Sequence, residues 1–169
     1  MNREKTYLYS PWRLDYILSE KPEDCILCRH IDPKLDKDNL IVFRSTHCYV
    51  MLNRYPYNNG HLMVVPYQHT NRLCKIEEEI LFDLMAVLKL CDQALYNVYK
   101  CHGINVGLNE GAAAGAGIGE HLHFHLVPRW MGDNSFMTVV SGERVIPEPF
   151  ETAYSKISQE ISNLLAIKE

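Results

Sequence analysis

Residues 76–100 are the part of this chain that most restricts its possible folds. Apolar residues recur there at steps of three and four, and glutamates stand near the start, where the helix dipole favours carboxylates. The spacing predicts one long amphipathic helix. Its apolar stripe consists of Ile76, Ile80, Leu84, Leu88, Cys91, Leu95 and Val98.

Segments with strand character lie on both sides of this helix. Strands that follow one another in meander order around one helix predict an α+β fold with an antiparallel sheet of about five strands. The Asn59-Gly60 pair favours a hairpin, because both residues tolerate positive φ. The predicted strands are 40–43, 49–53, 61–66, 104–109 and 121–127.

The chain is long enough for one hydrophobic core and too short for two comfortable ones. With 169 residues, of which 47% are hydrophobic, we expect a single domain over residues 1–169. Its core is predicted at about residues 25–130, with helices at about 11–20 and 150–168 as extensions.

Charge and hydropathy argue against two kinds of partner. The net charge is −4, from 17 basic and 21 acidic residues without a long basic run, so nonspecific nucleic-acid binding is not expected. No apolar run approaches the roughly 20 residues that span a bilayer, and the N-terminus lacks the apolar stretch of a secretory signal. We expect a cytoplasmic protein with no membrane partner.

Three histidines alternate along one predicted strand, at His121, His123 and His125. Alternate side chains of a strand share a face, so the imidazoles are expected on one surface, roughly 6–7 Å apart from one to the next. This arrangement indicates a reactive site or a metal site. Burial of unrelated histidines in the core and a purely metal-binding triad remain as alternatives.

A connector rich in glycine and alanine, residues 111–119, comes directly before the histidines. Such a loop leaves little side chain between backbone N–H groups and a ligand, which suits close approach of phosphate oxygens. The alternative is a merely flexible loop. Its position beside the histidines favours the phosphate interpretation.

The six cysteines divide into two groups. Cys25 and Cys28 have the Cys-x-x-Cys spacing with which two thiolates bind one zinc ion, although two packing cysteines would have the same spacing. A disulfide framework is not expected in a reducing compartment. Small packing roles are expected for Cys48, Cys74, Cys91 and Cys101.

Several motifs together resemble one protein family. The run from His121 to Val127 matches the pattern His-φ-His-φ-His-φ-φ, with φ apolar, of the histidine triad (HIT) superfamily. The hairpin 58–66 and the turn 109–111 also resemble segments of that family. The runs 10–13 and 127–130 resemble a bacterial branch that contains diadenosine tetraphosphate phosphorylases and uncharacterised hydrolases.

The resemblance implies nucleotidyl transfer through a nucleotidyl-histidine intermediate. The middle histidine of the motif is the family's nucleophile, so this role falls to His123, while His125 steadies phosphate oxygens or the leaving group. Asn53 matches the position that binds ribose hydroxyls, and Val50 and Leu52 resemble strand residues that line the base pocket. The phosphate-binding groups implied by the resemblance are Asn109, Gly117, Ile118 and Gly119.

The resemblance also implies a structural zinc ion, because some histidine triad proteins bind zinc beside the nucleophile. A set of two cysteines and two histidines is a closed tetrahedral set without a position for water. A homodimer and a nucleotide substrate, with adenine as the expected base, follow from the same resemblance. The implied zinc ligands are Cys25, Cys28, His69 and His121.

Two functions from different classes are therefore expected. The first is a nucleotidyl hydrolase or transferase that acts on the α-phosphate of dinucleoside polyphosphates or related compounds through nucleotidyl-His123. The second is a non-catalytic, zinc-stabilised module that binds nucleotides. The intact triad favours the enzyme.

Overall fold

The structure, a computed structural model, describes residues 25–29, 32–133 and 148–167. Within these ranges the chain forms an antiparallel sheet of five strands in the order β1-β2-β3-β5-β4. The predicted α+β fold is confirmed. The strands are β1 Ile41–Arg44, β2 Cys48–Leu52, β3 Leu62–Pro66, β4 Gly103–Leu108 and β5 Phe124–Arg129.

Two helices accompany the sheet in the described part of the chain. Helix α1 is Glu78–Tyr99, and α2 is Phe150–Ala166, close to the predicted spans. Lys100 caps the end of helix α1: its left-handed φ of 46° stops the helical ladder, while its N–H still bonds to the carbonyl of Tyr96. The predicted helix at 11–20 and the motif at 10–13 lie outside the described residues.

The two faces of the sheet have different neighbours. Cross-strand partners lie on the same face, so the pairs of Leu62 with Leu52 and with Leu126 place all three on one side. That side packs against both helices and contains the main hydrophobic core. Residues one step along, such as Met63 and His125, therefore face the other side, where the three histidines lie.

The hairpin turn between β2 and β3 is fixed by a close approach. Gly60 has φ of +69°, and a Cβ at this position would collide with the ring of Tyr99. Only glycine meets both conditions without strain. The turn therefore delivers His61, which follows directly, to a defined place at the start of β3.

The extent of the histidine strand differs from the prediction. β5 begins at Phe124, so His121 and His123 precede the strand. The chain before it takes other bonds: the N–H of Leu122 donates to the carbonyl of Thr70 at 2.7 Å. None of the described helices is long and apolar enough to cross a membrane.

Candidate active site

The three motif histidines are brought together but are not equivalent. The rings of His123 and His125 lie 4.8 Å apart between centroids, closer than the predicted 6–7 Å, at an interplanar angle of 78°. His121 is turned away from this pair, towards Cys25 and Cys28. His121 and His123 are buried, at 1% and 5% exposure, whereas His125 is partly exposed.

A backbone carbonyl fixes the tautomer of His123. Its Nδ1 lies 2.8 Å from the carbonyl oxygen of His121, and because a carbonyl only accepts, this Nδ1 carries the proton. Burial lowers the pKa of His123, which keeps the ring neutral near pH 7. The lone pair therefore lies on Nε2, the atom available for nucleophilic attack.

His61 sets the tautomer of His125. The N–H of Tyr57 donates to Nδ1 of His61 at 3.1 Å, so the proton of a neutral His61 lies on Nε2. This Nε2 is 2.9 Å from Nδ1 of His125 and donates to it. His125 in turn carries its own proton on Nε2, where it can donate to an oxygen of a substrate.

The ring pair of His61 and His125 stays neutral over a wide pH range. Burial, then the neighbouring His125, lowers the pKa of His61 to about 3. Burial, then His123, lowers the pKa of His125 to about 4. The donor direction from His61 to His125 is therefore preserved well below neutral pH.

We expect this pair to make the protein less stable in acid. Both rings protonate near pH 6.5 in the unfolded chain but only at about 3 and 4 in the folded protein, so the unfolded state binds more protons in between. Stability from this source is complete above about pH 6.5 and is expected to fall by up to about 1.4 kcal/mol per pH unit for each ring below it. Urea unfolding at a series of pH values measures this slope.

A matched variant isolates the pair from other acid-sensitive groups. In His61→Gln one titrating ring is lost, while an amide donor towards His125 is kept. Its unfolding free energy should fall less steeply with acid than that of the unaltered protein. Identical slopes in the two proteins would refute the assignment.

Four side chains from three separate segments form a compact cluster. The ligand atoms of Cys25, Cys28, His69 and His121 all lie within 4.8 Å of one another. Cys28 Sγ is 3.2 Å from His69 Nδ1 and 3.4 Å from His121 Nδ1, and the two Nδ1 atoms are 3.3 Å apart. These are the four residues predicted as zinc ligands, so the structure brings all of them together.

The cluster fits a tetrahedral zinc ion. Zn–N bonds of about 2.0–2.1 Å and Zn–S bonds of about 2.3 Å separate neighbouring ligand atoms by about 3.3–3.8 Å, close to the spacings found. His121 Nε2 donates to the carbonyl of Pro66 at 2.9 Å, which leaves the lone pair of Nδ1 facing the cysteines. Burial, then the Cys25 thiol, raises the pKa of Cys28 to about 11, a cost that a divalent cation would offset.

The apolar surface next to the histidines is built by other residues than the sequence predicted. Val50 and Leu52 are buried in the helix-side core, on the face of the sheet opposite His125, so their predicted place in a base pocket is wrong. Every residue of β2 is buried. The strand therefore has no alternation of polar and apolar residues that would indicate which of its two faces lies towards the histidines. The histidine side holds Leu27, Ile41, Tyr49, Met51, Met63 and Val65, with Cys25, Ile26 and Ile118 packed against them.

The two asparagines lie at strand ends near the histidines. Asn53 follows β2; its Oδ1 accepts from the N–H of Tyr55 at 2.9 Å, and its Nδ2 is 3.3 Å from Nδ1 of His61. It thus starts the turn and also supports His61. Asn109 follows β4, where continuation of the register places it opposite His123.

The glycine-rich connector contributes one side chain, that of Ile118, to the apolar surface. Ile118 packs against the histidine-side cluster, and Gly117 and Gly119 flank it. Gly111 and Gly115 have φ of +84° and +85°, which explains their residue type. Trp130 lies edge-on to Tyr99, with ring centroids 6.2 Å apart.

The structure gives His61 a direct hydrogen bond to His125 and adds Met51 and Met63 to the residues expected at the site. No periodicity connects residue 61 with residue 125, because their contact depends on the pairing of β3 with β5. Met51 could have been found from strand alternation only with the facing direction of β2 known. These are the main additions that the structure makes to the site.

The sequence of this chain matches a known domain family. The HIT domain model matches residues 34–131, more than half of the chain. The chain belongs to the HIT domain family. A HIT relative, the AP-4-A phosphorylase of Mycobacterium tuberculosis, is 40% identical over 150 residues, which cover 83% of this chain and 76% of the relative.

Solved HIT structures share the fold. A hypothetical histidine triad nucleotide-binding protein from Sulfolobus tokodaii superposes with a TM-score of 0.68 at 28% identity, over 83% of this chain and 93% of that one. A zinc-bound histidine triad family protein from Mycobacterium smegmatis gives a TM-score of 0.68 at 24% identity, over 85% and 97% of the two chains. The chain is an enzyme of the HIT class of nucleotide hydrolases and transferases.

Proposed function

We propose that the protein cleaves dinucleoside polyphosphates, with adenine as the expected base, through a nucleotidyl-His123 intermediate that inorganic phosphate resolves. The observation that carries this proposal is the 2.8 Å bond from His123 Nδ1 to the carbonyl of His121, which leaves a buried Nε2 lone pair. The similarity to a relative named AP-4-A phosphorylase supports the substrate class and the acceptor.

In the first step, Nε2 of His123 attacks the α-phosphorus, and the bond from this phosphorus to the bridging oxygen breaks. The leaving nucleoside polyphosphate takes the electron pair and departs as an anion, with Nε2–H of His125 as a hydrogen-bond donor to its oxygen. The positive charge that develops on the His123 ring is stabilised by the hydrogen bond that its Nδ1–H donates to the carbonyl oxygen of His121.

In the second step, an oxygen of inorganic phosphate attacks the same phosphorus, and His123 leaves as a neutral imidazole. For diadenosine tetraphosphate the products are ATP from the first step and ADP from the second. We assign the ribose and phosphate contacts to Asn53, Asn109 and the backbone of Gly117, Ile118 and Gly119. The base is assigned to the apolar surface that contains Leu27, Met51 and Met63.

Zinc, bound by the four clustered side chains, has a structural role in this proposal, since four protein ligands leave no position for water or substrate. The free cysteines of the described residues agree with a reducing, cytoplasmic setting. A homodimer is also proposed, on family resemblance alone.

Product analysis of diadenosine tetraphosphate tests the reaction and its acceptor. With inorganic phosphate present, equal amounts of ATP and ADP are expected by anion-exchange chromatography, and little turnover without it. ATP and AMP in equal amounts, independent of phosphate, would mean that water is the acceptor. Absence of turnover for this substrate and for AMP esters, together with intact AMP binding, would favour a non-catalytic nucleotide-binding module.

A further inference from the structure

One part of the histidine face is bare, on the strand beside His125. Gly107 of β4 is the cross-strand partner of His125, so a side chain at position 107 would stand next to the imidazole. Gly107 is exposed, and a Cβ built on it meets no atom of the described residues within 4 Å. Its φ is not left-handed, so the backbone does not require glycine here.

Glycine inside a strand costs stability and often marks a place where a ligand or another backbone comes close. The bare position adjoins the ring of His125, whose Nε2–H donates to the leaving group in the proposed reaction. A polyphosphate that departs past His125 would need room directly beside that ring. The absence of a side chain at Gly107 leaves this room free.

Polar groups continue this face beyond Gly107. Asn105 and Arg129 lie on the same side, since they pair with Val127 and Gly103 in the same register, and Arg129 Nη1 donates to Asn105 Oδ1 at 2.8 Å. Asp133 holds the other edge of the guanidinium at 2.5 Å. The Arg129 side chain is 42% exposed and that of Asp133 only 8%. The guanidinium of Arg129 is therefore the charged group of this ion pair that solvent or a ligand can reach.

We propose that this strip, made of Gly107, Asn105 and Arg129, binds the leaving nucleoside polyphosphate of the substrate. The inference rests on the proposed function and adds to it a second subsite, distinct from the apolar surface that holds the transferred nucleotide. The polyphosphate lies over the backbone at Gly107 with its anionic chain directed towards Arg129. A nucleotidyl compound with a small leaving group does not reach the strip.

Gly107→Val tests the strip without a strained backbone, because valine suits a strand. We expect kcat/KM for diadenosine tetraphosphate to fall by at least about tenfold, while kcat/KM for the p-nitrophenyl ester of AMP changes by less than about threefold. Val106→Thr is the matched control. It changes the neighbouring exposed residue of β4 on the opposite face, away from His125 and Arg129, and should change neither value by more than about threefold.

A second variant probes the cation. Arg129→Gln should lower kcat/KM for diadenosine tetraphosphate more than for the ester, with its thermal unfolding recorded because Arg129 also holds Asp133. Equal losses for both substrates in Gly107→Val, or no loss, would overturn the strip. A changed mass by light scattering, with substrate preference unaltered, would overturn it too and would assign the bare strand to contact with a second chain.

The two proposals fail in different ways. If the unaltered protein turns over neither substrate, the proposed function fails and the strip fails with it. If both substrates are turned over in a His123-dependent manner but Gly107→Val does not separate them, only the strip is refuted.

Discussion

His123→Ala is expected to lower turnover of diadenosine tetraphosphate by about 10⁴-fold or more, because the variant lacks the atom that bonds to phosphorus. The loss should appear in kcat, while the affinity for AMP changes little, since the apolar surface and the asparagines are untouched. Single-turnover measurements with radiolabelled substrate separate the two effects. The unaltered protein should also yield an acid-labile, labelled protein adduct that the variant does not form.

A suitable control is His102→Ala, which removes an exposed imidazole outside the site. Its Nδ1 accepts from the N–H of Met131 on the surface, and its loss should leave turnover within about twofold. If His123→Ala retained a tenth of the original activity, nucleotidyl-His123 would not be the intermediate.

Removal of zinc is expected to have the second large effect, on stability and on nucleotide binding together. A structural zinc site contributes about 10–16 kcal/mol of apparent binding free energy, comparable to the whole stability of a typical domain of about 5–15 kcal/mol. A strong chelator should lower the unfolding temperature by at least about 10 °C. Elemental analysis of the purified, reduced protein should find about one zinc per chain.

The expected loss of nucleotide affinity follows from the packing of Leu27, which lies between Cys25 and Cys28 in the sequence. Leu27 is 3% exposed, its carbonyl accepts from the hydroxyl of Tyr49 at 2.8 Å, and it packs with Met51 and Met63. Without the metal this segment loses its anchor, so one side of the apolar surface loosens. Calorimetric titration should show AMP affinity at least about tenfold weaker in the chelated protein.

Variants separate metal loss from general thiol chemistry. Cys28→Ser should reproduce the effects of chelation, whereas Cys74→Ser, at an exposed cysteine outside the cluster, should not. A metal-free protein that unfolds at the same temperature and binds AMP equally well would rule out a structural role for zinc.

The sequence predicted those features that depend on local periodicity. The long helix and the Asn-Gly hairpin have such signals, and the HIT motif is the basis for the predicted nucleophile, His123. The meander order was wrong in one respect, because β5 and not β4 lies beside β3. The four cluster residues were also predicted from spacing and resemblance. Their meeting in the structure depends on the pairing of β3 with β5, which brings the chain near His69 to the chain near His121.

Features that depend on long-range register were not predictable in the same way. Because all of β2 is buried, nothing local distinguished Val50 from Met51, and the face was assigned wrongly. The strand that contains His125 begins at Phe124 and not at His121 as predicted, because the alternation of histidines with apolar residues continues towards the N-terminus beyond the strand itself. His121 Nε2 instead donates to the carbonyl of Pro66, and the N–H of Leu122 donates to the carbonyl of Thr70, beyond the last ladder pair, Val64 with Phe124.

The zinc cluster also constrains how the protein can mature. Cys25 and Cys28 are three positions apart, whereas Cys28 and His121 are separated by 93. Closing the longer loop costs an unfolded chain more entropy than closing the short one, so the cysteine pair is the part of the set that an unfolded polypeptide would offer first to a zinc ion. Ligation by all four residues would therefore follow formation of the sheet, and we expect added zinc to act on the last step of folding rather than on the initial collapse.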